Sequence, residues 1–314
     1  MGYGKRIMGL KASGIALACI WAMLSILPTS ASAKPTVYLL LLIDTADRAI
    51  GESTLTDMVA MLRQSRQFAD AAGLDLQVVA ADTGMPQSLK DYFGASVTES
   101  EGTSQVADVS KGEVKQHDAE APSGLVNMYR RMPNASEVLA TIRSLPVRAD
   151  DVLWFYYSGH GFRWKNQSTA NPWPILQIGK NRKTQALSMA SVIYALEARG
   201  ARLTITMSDS CNVAAATSRT RRRSTGFGPR LRAGLTALFR YSRGRIRAVA
   251  ATASEIATGN SHTGGLFTRN WLSAIHDEAR VGRAANWRNI ASRARRSVSR
   301  KSNYRQNPRI DILP

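Results

Sequence analysis

The chain has 314 residues and a formal net charge of +19, with 42 lysines and arginines against 23 acidic residues. This length suffices for a domain with a large core of its own, and the two cysteines exclude a fold that depends on several disulfides. The positive charge predicts adhesion to anionic surfaces, for which nucleic acid and an anionic envelope polymer are the candidates.

Residues 1–33 have the composition of a signal peptide: a basic start, an apolar stretch over 15–27, and the small residues Ala31-Ser32-Ala33 before Lys34. We therefore expect an exported protein, periplasmic or extracellular, with no transmembrane segment after cleavage; an uncleaved anchor is the alternative. Export makes nucleic acid the less favoured partner and an anionic envelope surface the more favoured one. Cleavage would also remove Cys19 and leave Cys211 as the remaining cysteine.

Apolar runs of strand length alternate with helical patterns along the rest of the chain. Strands are predicted at 36–43, 76–80, 151–157, 203–207 and 246–251, with a short edge strand at 174–178. Helices are predicted at 54–72, 134–145, from 184 or 188 to 199, at 267–279 and from 284 onward, before an extended segment at 310–312. Residues 83–132 form a long insertion by this interpretation, and 218–245 form a mobile basic loop that flanks a short segment around Leu235.

Strands that are apolar throughout and alternate with helices indicate an α/β fold, with a mostly parallel sheet and helices on both faces. Ligands meet such a sheet at the carboxyl ends of its strands, near the point where the strand order reverses. His160 and Cys211 follow two of the predicted strands, 51 positions apart. A histidine beside a cysteine can form the thiolate–imidazolium pair of a cysteine hydrolase. The alternative is a packed histidine and a buried, inert thiol.

Four stretches carry a family resemblance. They are Tyr157-Ser158-Gly159-His160-Gly161, Asp209-Ser210-Cys211, the segment ATASEIA at 251–257, and Gly265-Leu266-Phe267-Thr268. Together with the opening TVYLLLLID they resemble the caspase-like (C14-type) cysteine peptidases, within them the metacaspase and bacterial paracaspase-like branch. The resemblance implies a caspase-like three-layer sandwich over residues 34–280, followed by a basic helix and tail at 281–314.

The resemblance also implies catalytic roles for three residues. Cys211 is the expected nucleophile, and His160 is expected to stabilise its thiolate and to protonate the leaving amine. Gly161 resembles the family's oxyanion-hole position, where a backbone N–H stabilises the charge on the carbonyl oxygen. A tight turn after the strand would also require a glycine here, and both reasons can hold.

Three aspartates are candidates for substrate binding. Asp209 resembles the acid at the base of the pocket that selects arginine or lysine, and Asp57 resembles a second pocket acid. Asp44 ends the first predicted strand and could line the same pocket. The alternatives are a turn cap for Asp209 and an ordinary first-turn helix acid for Asp57. The expected enzyme is an endopeptidase that cleaves polypeptides after arginine or lysine.

The segment Arg219-Thr220-Arg221-Arg222-Arg223 lies where this family often carries a processing loop, which predicts self-cleavage there. An anionic-surface patch is the alternative. No metal-binding pattern occurs in the sequence, so we expect no required cofactor, although the resemblance allows activation by calcium.

One departure from the family supports a different function. Metacaspases usually follow D-x-C with His-Ser-Gly, whereas this chain has Asn212-Val213-Ala214. The alternative function is therefore a catalytically inactive caspase-like module whose basic surface recruits an anionic partner.

Overall fold

The structure is a computed structural model, and it describes residues 33–45, 47, 50–82, 128–131, 134–168, 170–179, 185–211 and 228–314. The signal peptide expected at 1–33, nearly all of the 83–132 insertion and the arginines at 219–223 lie outside the described residues. Within the described ranges, no helix combines the length and the apolar character needed to cross a bilayer.

Seven strands form the central sheet in the order β12-β9-β8-β4-β1-β2-β3. They are β1 (Thr36–Ile43), β2 (Asp75–Asp82), β3 (Met128–Arg131), β4 (Val152–Gly159), β8 (Leu203–Ser210), β9 (Gly244–Val249) and β12 (Arg309–Leu313). All neighbours pair in parallel except β12, which runs antiparallel to β9. Every residue of β1 and of β8 is buried. In β1 this explains the nearly continuous apolar run, whereas β8 also buries polar side chains such as Thr204, Thr206 and Ser208.

Helices cover both faces of the sheet. They are α1 (Gly51–Ala72), α2 (Ala135–Ser144), α3 (Met189–Glu197), α4 (Pro229–Thr236), α5 (Leu266–Ala279) and α6 (Trp287–Lys301). Along β1, Leu39 and Leu41 pack in the core with α1, α4, α5 and α6, whereas Leu40 and Leu42 pack in the core with α2 and α3. Side chains alternate between the two faces of a strand, so one apolar run supplies both cores. The predicted three-layer α/β sandwich is confirmed.

The predicted start signals of two helices are present. The side chain of Asn134 accepts a hydrogen bond from the backbone N–H of Glu137 at 3.0 Å, and its Nδ2 donates to Glu137 Oε1 at 3.0 Å. The first of these bonds satisfies one backbone donor that the helix start leaves without a partner, and the second joins the two side chains. Ser188 caps α3 in the same way by accepting from the N–H of Ser191.

Three short strands form a second sheet beside the carboxyl end of β4: β5 (Gly161–Phe162), β6 (Ile175–Gln177) and β7 (Ala186–Ser188). The strand predicted at 174–178 therefore exists, but it is not an edge of the central sheet. A further pair, β10 (Gly259–Asn260) and β11 (Gly264–Gly265), immediately precedes α5.

The described part of the basic segment 218–245 corrects its prediction as a mobile loop. Residues 229–236 form α4, and Ala237–Tyr241 continue it as a π-helical turn. Its apolar side chains Leu231, Leu235, Leu238 and Phe239 are buried in the core, while arginines such as Arg230 and Arg232 are exposed. The high arginine content of this segment hid an amphipathic helix.

The C-terminal segment 281–314 also differs from its prediction as a separate helix and tail. Helix α6 packs against α5, and β12 is the edge strand of the central sheet beside β9. Ile290, Ala294 and Val298 of α6 are buried in the same core as the central strands. Residues 281–314 are therefore an integral part of the fold.

A test of this integration is the substitution Trp287→Ala. The Trp287 ring stacks on Trp271 at 6.0 Å between ring centroids, meets Phe239 edge-on at 5.3 Å, and donates from Nε1 to the carbonyl of Leu238. Loss of this buried ring should reduce the free energy of unfolding by about 3–5 kcal/mol in urea denaturation. The neighbouring exposed substitution Arg288→Ala should change it by about 0.5 kcal/mol or less. A Trp287→Ala protein as stable as the native chain would contradict this packing.

Candidate active site

The carboxyl ends of β4 and β8 bring His160 and Cys211 to one edge of the sheet. Gly159, the last residue of β4, pairs in parallel with Ser210, the last residue of β8. Because neighbouring strands lie about 4.8 Å apart, the residues that follow these two, His160 and Cys211, begin at adjacent positions on the same edge of the sheet. The strand order reverses between β1 and β4, where an open α/β sheet forms its ligand site.

The His160 ring is held by a carboxylate. Its Nε2 lies 2.9 Å from Oδ2 of Asp47, which follows β1. The backbone of His160 is fixed as well, because its carbonyl oxygen accepts from the N–H of Gln177 at 2.9 Å and from the hydroxyl of Tyr157 at 2.8 Å. Both the main chain and the ring of this histidine therefore have defined partners.

The Cys211 thiol is buried, with 8% of the residue exposed. Its Sγ donates to the carbonyl oxygen of Ala257, 3.4 Å away in the loop that follows β9. Burial raises the pKa of this thiol above its ordinary value. The hydrogen bonds recorded for Cys211 and His160 thus run to Ala257 and to Asp47, and not between the two side chains.

Gly161 lies against the cysteine. A side-chain carbon at this position would overlap the carbonyl oxygen of Cys211 and would come within 2.7 Å of Ser210 Oγ, so only glycine fits. His160 and Gln177 form a hydrogen-bonded pair across β5 and β6, and bonded and non-bonded positions alternate in an antiparallel ladder. The N–H of Gly161 consequently points away from β6.

The structure brings Asp57 and Asp209 together, as two buried carboxylates at the amino end of α5. Asp57 accepts from the N–H of Gly265 at 2.7 Å through Oδ1, and from the hydroxyl of Ser158 at 2.8 Å through Oδ2. Asp209 accepts through Oδ2 from both the N–H and the hydroxyl of Thr268, at 2.8 and 2.7 Å. Both carboxylates therefore bind backbone N–H groups that the helix start leaves without intrahelical partners.

Burial governs the protonation of this pair. Desolvation, followed by the repulsion from Asp209, raises the pKa of Asp57 well above its usual range. Desolvation also raises the pKa of Asp209, to about 6, against the opposing hydrogen bonds from Thr268. Two adjacent carboxylates in a poorly solvated place favour a state in which the pair holds one proton.

The two acids differ in the oxygen that they leave available. Both oxygens of Asp57 accept internal hydrogen bonds, whereas no described residue donates a hydrogen bond to Oδ1 of Asp209. Asp44 lies elsewhere, at the end of β1, where its backbone N–H donates to the carbonyl of Ser158 and its side chain borders Gly159. The structure thus groups Asp57 with Asp209 and places Asp44 beside the turn that carries His160.

Sequence reasoning missed several partners of these residues. Asp47 was not selected, although a second aspartate three positions after Asp44 at a strand end was a usable signal. Thr268 stood inside a quoted motif, but its bonds to Asp209 could not be read from spacing. No sequence signal points to the carbonyl of Ala257, because every residue has a backbone carbonyl group whatever its side chain. Within the described ranges, no group of three or more His, Cys, Asp or Glu side chains is arranged to hold a metal ion.

Comparison with known proteins identifies the family of the domain. The model of the caspase domain family of C14 peptidases matches residues 58–312. The chain therefore belongs to the caspase-domain family of cysteine peptidases, as its motifs predicted. No match is found among curated proteins. Among solved structures, caspase-1 from Spodoptera frugiperda is similar with a TM-score of 0.46 and 8% identity, over 90% of this chain and 89% of that one.

The buried acid at Asp209 predicts a pH-dependent stability. Its pKa is about 6 in the folded chain against an ordinary value of 3.8, so folding favours its protonated form. That contribution is complete below about pH 4 and is lost as the pH rises through 6, an effect on the order of 3 kcal/mol. Asp209→Asn should therefore lose less unfolding free energy than the native chain between pH 4 and pH 7.5, measured by urea denaturation.

A matched control is Asp70→Asn, which changes an exposed aspartate on α1 that pairs with Arg66. This variant should keep the native pH dependence. An Asp209→Asn protein with the same pH dependence as the native chain would show that this carboxyl is not protonated by burial.

Proposed function

We propose that this chain is a cysteine endopeptidase in which Cys211 attacks the scissile carbonyl and His160 accepts and returns the proton. The observation that carries the proposal is the pairing of Gly159 with Ser210, which starts both residues from adjacent strand ends at the switch point of the sheet. Membership of the caspase-domain family supports the same chemistry.

The protonation of the thiol defines what His160 must do. Because burial raises the Cys211 pKa, the free thiol is a poor nucleophile at neutral pH. In the proposed mechanism, Sγ leaves the carbonyl of Ala257 and gives its proton to the imidazole. The thiolate then bonds to the substrate carbonyl carbon, the amide C–N bond breaks, and the imidazolium returns the proton to the leaving amine. Water hydrolyses the acyl-enzyme in the reverse sense.

Gly161 is suited to stabilise the oxyanion. Its N–H points away from β6, and its main chain lies against the Cys211 carbonyl. In the proposed mechanism, the N–H groups of Gly161 and Cys211 both donate to the oxyanion. One such donor typically lowers the barrier by about 2.7–4 kcal/mol, since it is already oriented before charge develops.

Asp209 is the residue that we propose binds the substrate's basic side chain. Its Oδ1 receives no hydrogen bond from the described residues, whereas both oxygens of Asp57 are used internally. A guanidinium or ammonium group would therefore meet Asp209, and Asp57 would keep the start of α5 and the Asp209 carboxylate in place. A buried carboxylate favours a cationic partner, which fits cleavage after arginine or lysine.

The test is hydrolysis of short fluorogenic peptides that end in arginine, lysine or alanine. The native chain should cleave the basic peptides, and Cys211→Ala should abolish cleavage. Asp209→Asn should reduce kcat/KM for the arginine peptide by about 10- to 100-fold, because it loses one charge-assisted hydrogen-bond partner. The preference for arginine over alanine should also increase as the pH rises through about 6, where Asp209 ionises.

Asp70→Asn is again the matched control and should cleave arginine peptides at the native rate. Equal cleavage by the native chain and Cys211→Ala would exclude the proposed nucleophile. Parallel reactions with calcium and with a chelator determine whether calcium activates the chain.

The second candidate function, an inactive module that binds an anionic partner, is favoured by the buried thiol and its bond to Ala257. Exposed arginines on α4 and α6 would supply the binding surface. No hydrolysis of any peptide in any arm, together with salt-sensitive binding to a polyanion such as heparin, would favour this function over the peptidase.

We also propose that the chain cuts itself within Arg219–Arg223, because an enzyme with the Asp209 pocket would accept these residues as substrate. Replacing the four arginines of this segment by glutamine should leave the chain in one piece while the native chain is nicked, as seen by gel and mass spectrometry. Nicking of a Cys211→Ala protein to the native extent would show that another protease makes the cut.

A further inference from the structure

The carboxylate of Asp47 lies against the Nε2 side of the His160 ring. Oδ2 of Asp47 is 2.9 Å from Nε2 of His160. The aspartate side chain is 46% exposed, and that of the histidine is 15% exposed. An imidazole ring has two distinct nitrogens, and the bond made by one determines which proton state is available at the other.

We propose that Asp47 is a positioning residue that keeps His160 protonated at Nε2 and thereby presents Nδ1 to the Cys211 thiol. This inference rests on the proposed peptidase function, because it deepens the role of the same site. The thiol proton moves to Nδ1 and leaves a thiolate, while the Nε2–H stays hydrogen-bonded to Asp47. The imidazolium charge then lies beside the Asp47 carboxylate, and the Nδ1 proton later goes to the leaving amine.

The segment that carries Asp47 is anchored on both sides, as a positioning role requires. On its amino side, Thr45 donates from its N–H at 3.1 Å and from its hydroxyl at 2.5 Å to the buried carboxylate of Asp82, the last residue of β2. On its carboxyl side, the carbonyl of Asp47 accepts from the N–H groups of Ile50 and Gly51, at 3.3 and 2.8 Å, where α1 begins. These hydrogen bonds of Thr45 and of the Asp47 carbonyl restrain the main chain on both sides of the carboxylate.

The histidine is equally restrained from the other direction. Its carbonyl accepts from Gln177 and from Tyr157, and these two bonds fix the main chain from which the ring extends. With both backbones held, the single ring contact to Asp47 suffices to select the orientation of the imidazole. Further titratable groups at this end of the sheet, among the described residues, are Asp44, Asp57, Asp82, Tyr157 and Asp209, and the variants below leave them unchanged.

The expected effect is moderate because the Asp47 carboxylate is half-exposed and solvent screens its charge. A buried aspartate in a serine protease triad contributes about 10⁴-fold to kcat. For Asp47→Asn we expect a decrease in kcat of about tenfold with little change in KM, since Asp47 contacts the histidine and not the substrate. The imidazolium also loses its neighbouring charge, so formation of the thiolate should require a pH about one unit higher.

The experiment measures the rate of iodoacetamide alkylation of Cys211 against pH, beside kcat and KM for the arginine peptide. It uses the full chain with Cys19→Ser, so that Cys211 is the only thiol. Asp47→Asn and Asp47→Ala should both shift the alkylation midpoint upward by about one unit. Asp47→Glu, which restores a carboxylate, should recover part of the shift, and the control Asp70→Asn should show none.

The outcomes separate this inference from the proposed function. A shifted midpoint in a chain that hydrolyses no peptide would support the positioning role and reject the peptidase. Peptide hydrolysis with an unchanged midpoint and unchanged kcat in Asp47→Asn and Asp47→Ala would overturn the positioning role alone.

Discussion

The parallel pairing of β1, β4 and β8 is the constraint on which the candidate site depends. Its register sets Ile43 beside Ser158 and Gly159 beside Ser210, so the three strands end together. A slip of one residue would turn every side chain of a strand to the opposite face, and these strands are buried on both faces. Core packing therefore determines the relative positions of His160 and Cys211, because it fixes how the strands that precede them pair.

The buried carboxylates extend this constraint into the helical layer. Asp57 comes from α1 and Asp209 from β8, and both accept N–H groups at the start of α5, at Gly265 and Thr268. Helix α5 has no side-chain cap of its own, so the two acids replace one. Burial works against their ionisation, while the helix start and the Thr268 hydroxyl offset part of that cost. Asp209, the candidate specificity residue, thus also binds the start of α5 beside the site.

The sequence was most informative where one physical requirement dominates. Strands buried on both faces are rich in apolar residues, and this made β1, β4 and β8 predictable. The bounds of β1 were predicted, whereas β4 and β8 continue beyond the predicted ends to Gly159 and Ser210. Helix α4 was missed because Arg230 and Arg232 flank the buried Leu231 and hide the apolar face of a short helix. The placement of β12 was missed because an extended segment does not indicate which strand it pairs with. The pairing of Asp57 with Asp209 followed from a family motif, whereas the contact of Asp47 with His160 depends on the path of a turn. The main chain before Asp47 is held by a hydrogen bond from Thr45 to Asp82, a residue far away in the sequence, and no local sequence pattern predicts that bond.

The C-terminal segment contacts the loop after β9, and that loop contacts the Cys211 thiol. Oε1 of Gln306 accepts from both the N–H and the hydroxyl of Thr258, and Asn307 donates twice to Glu255, so the segment before β12 fixes the loop after β9. That loop presents the Ala257 carbonyl to Cys211. A thiol is a weak hydrogen-bond donor, so an imidazole or a bound substrate can displace this contact at low cost. Residues near the end of the sequence therefore help to place the carbonyl group that the Cys211 thiol contacts.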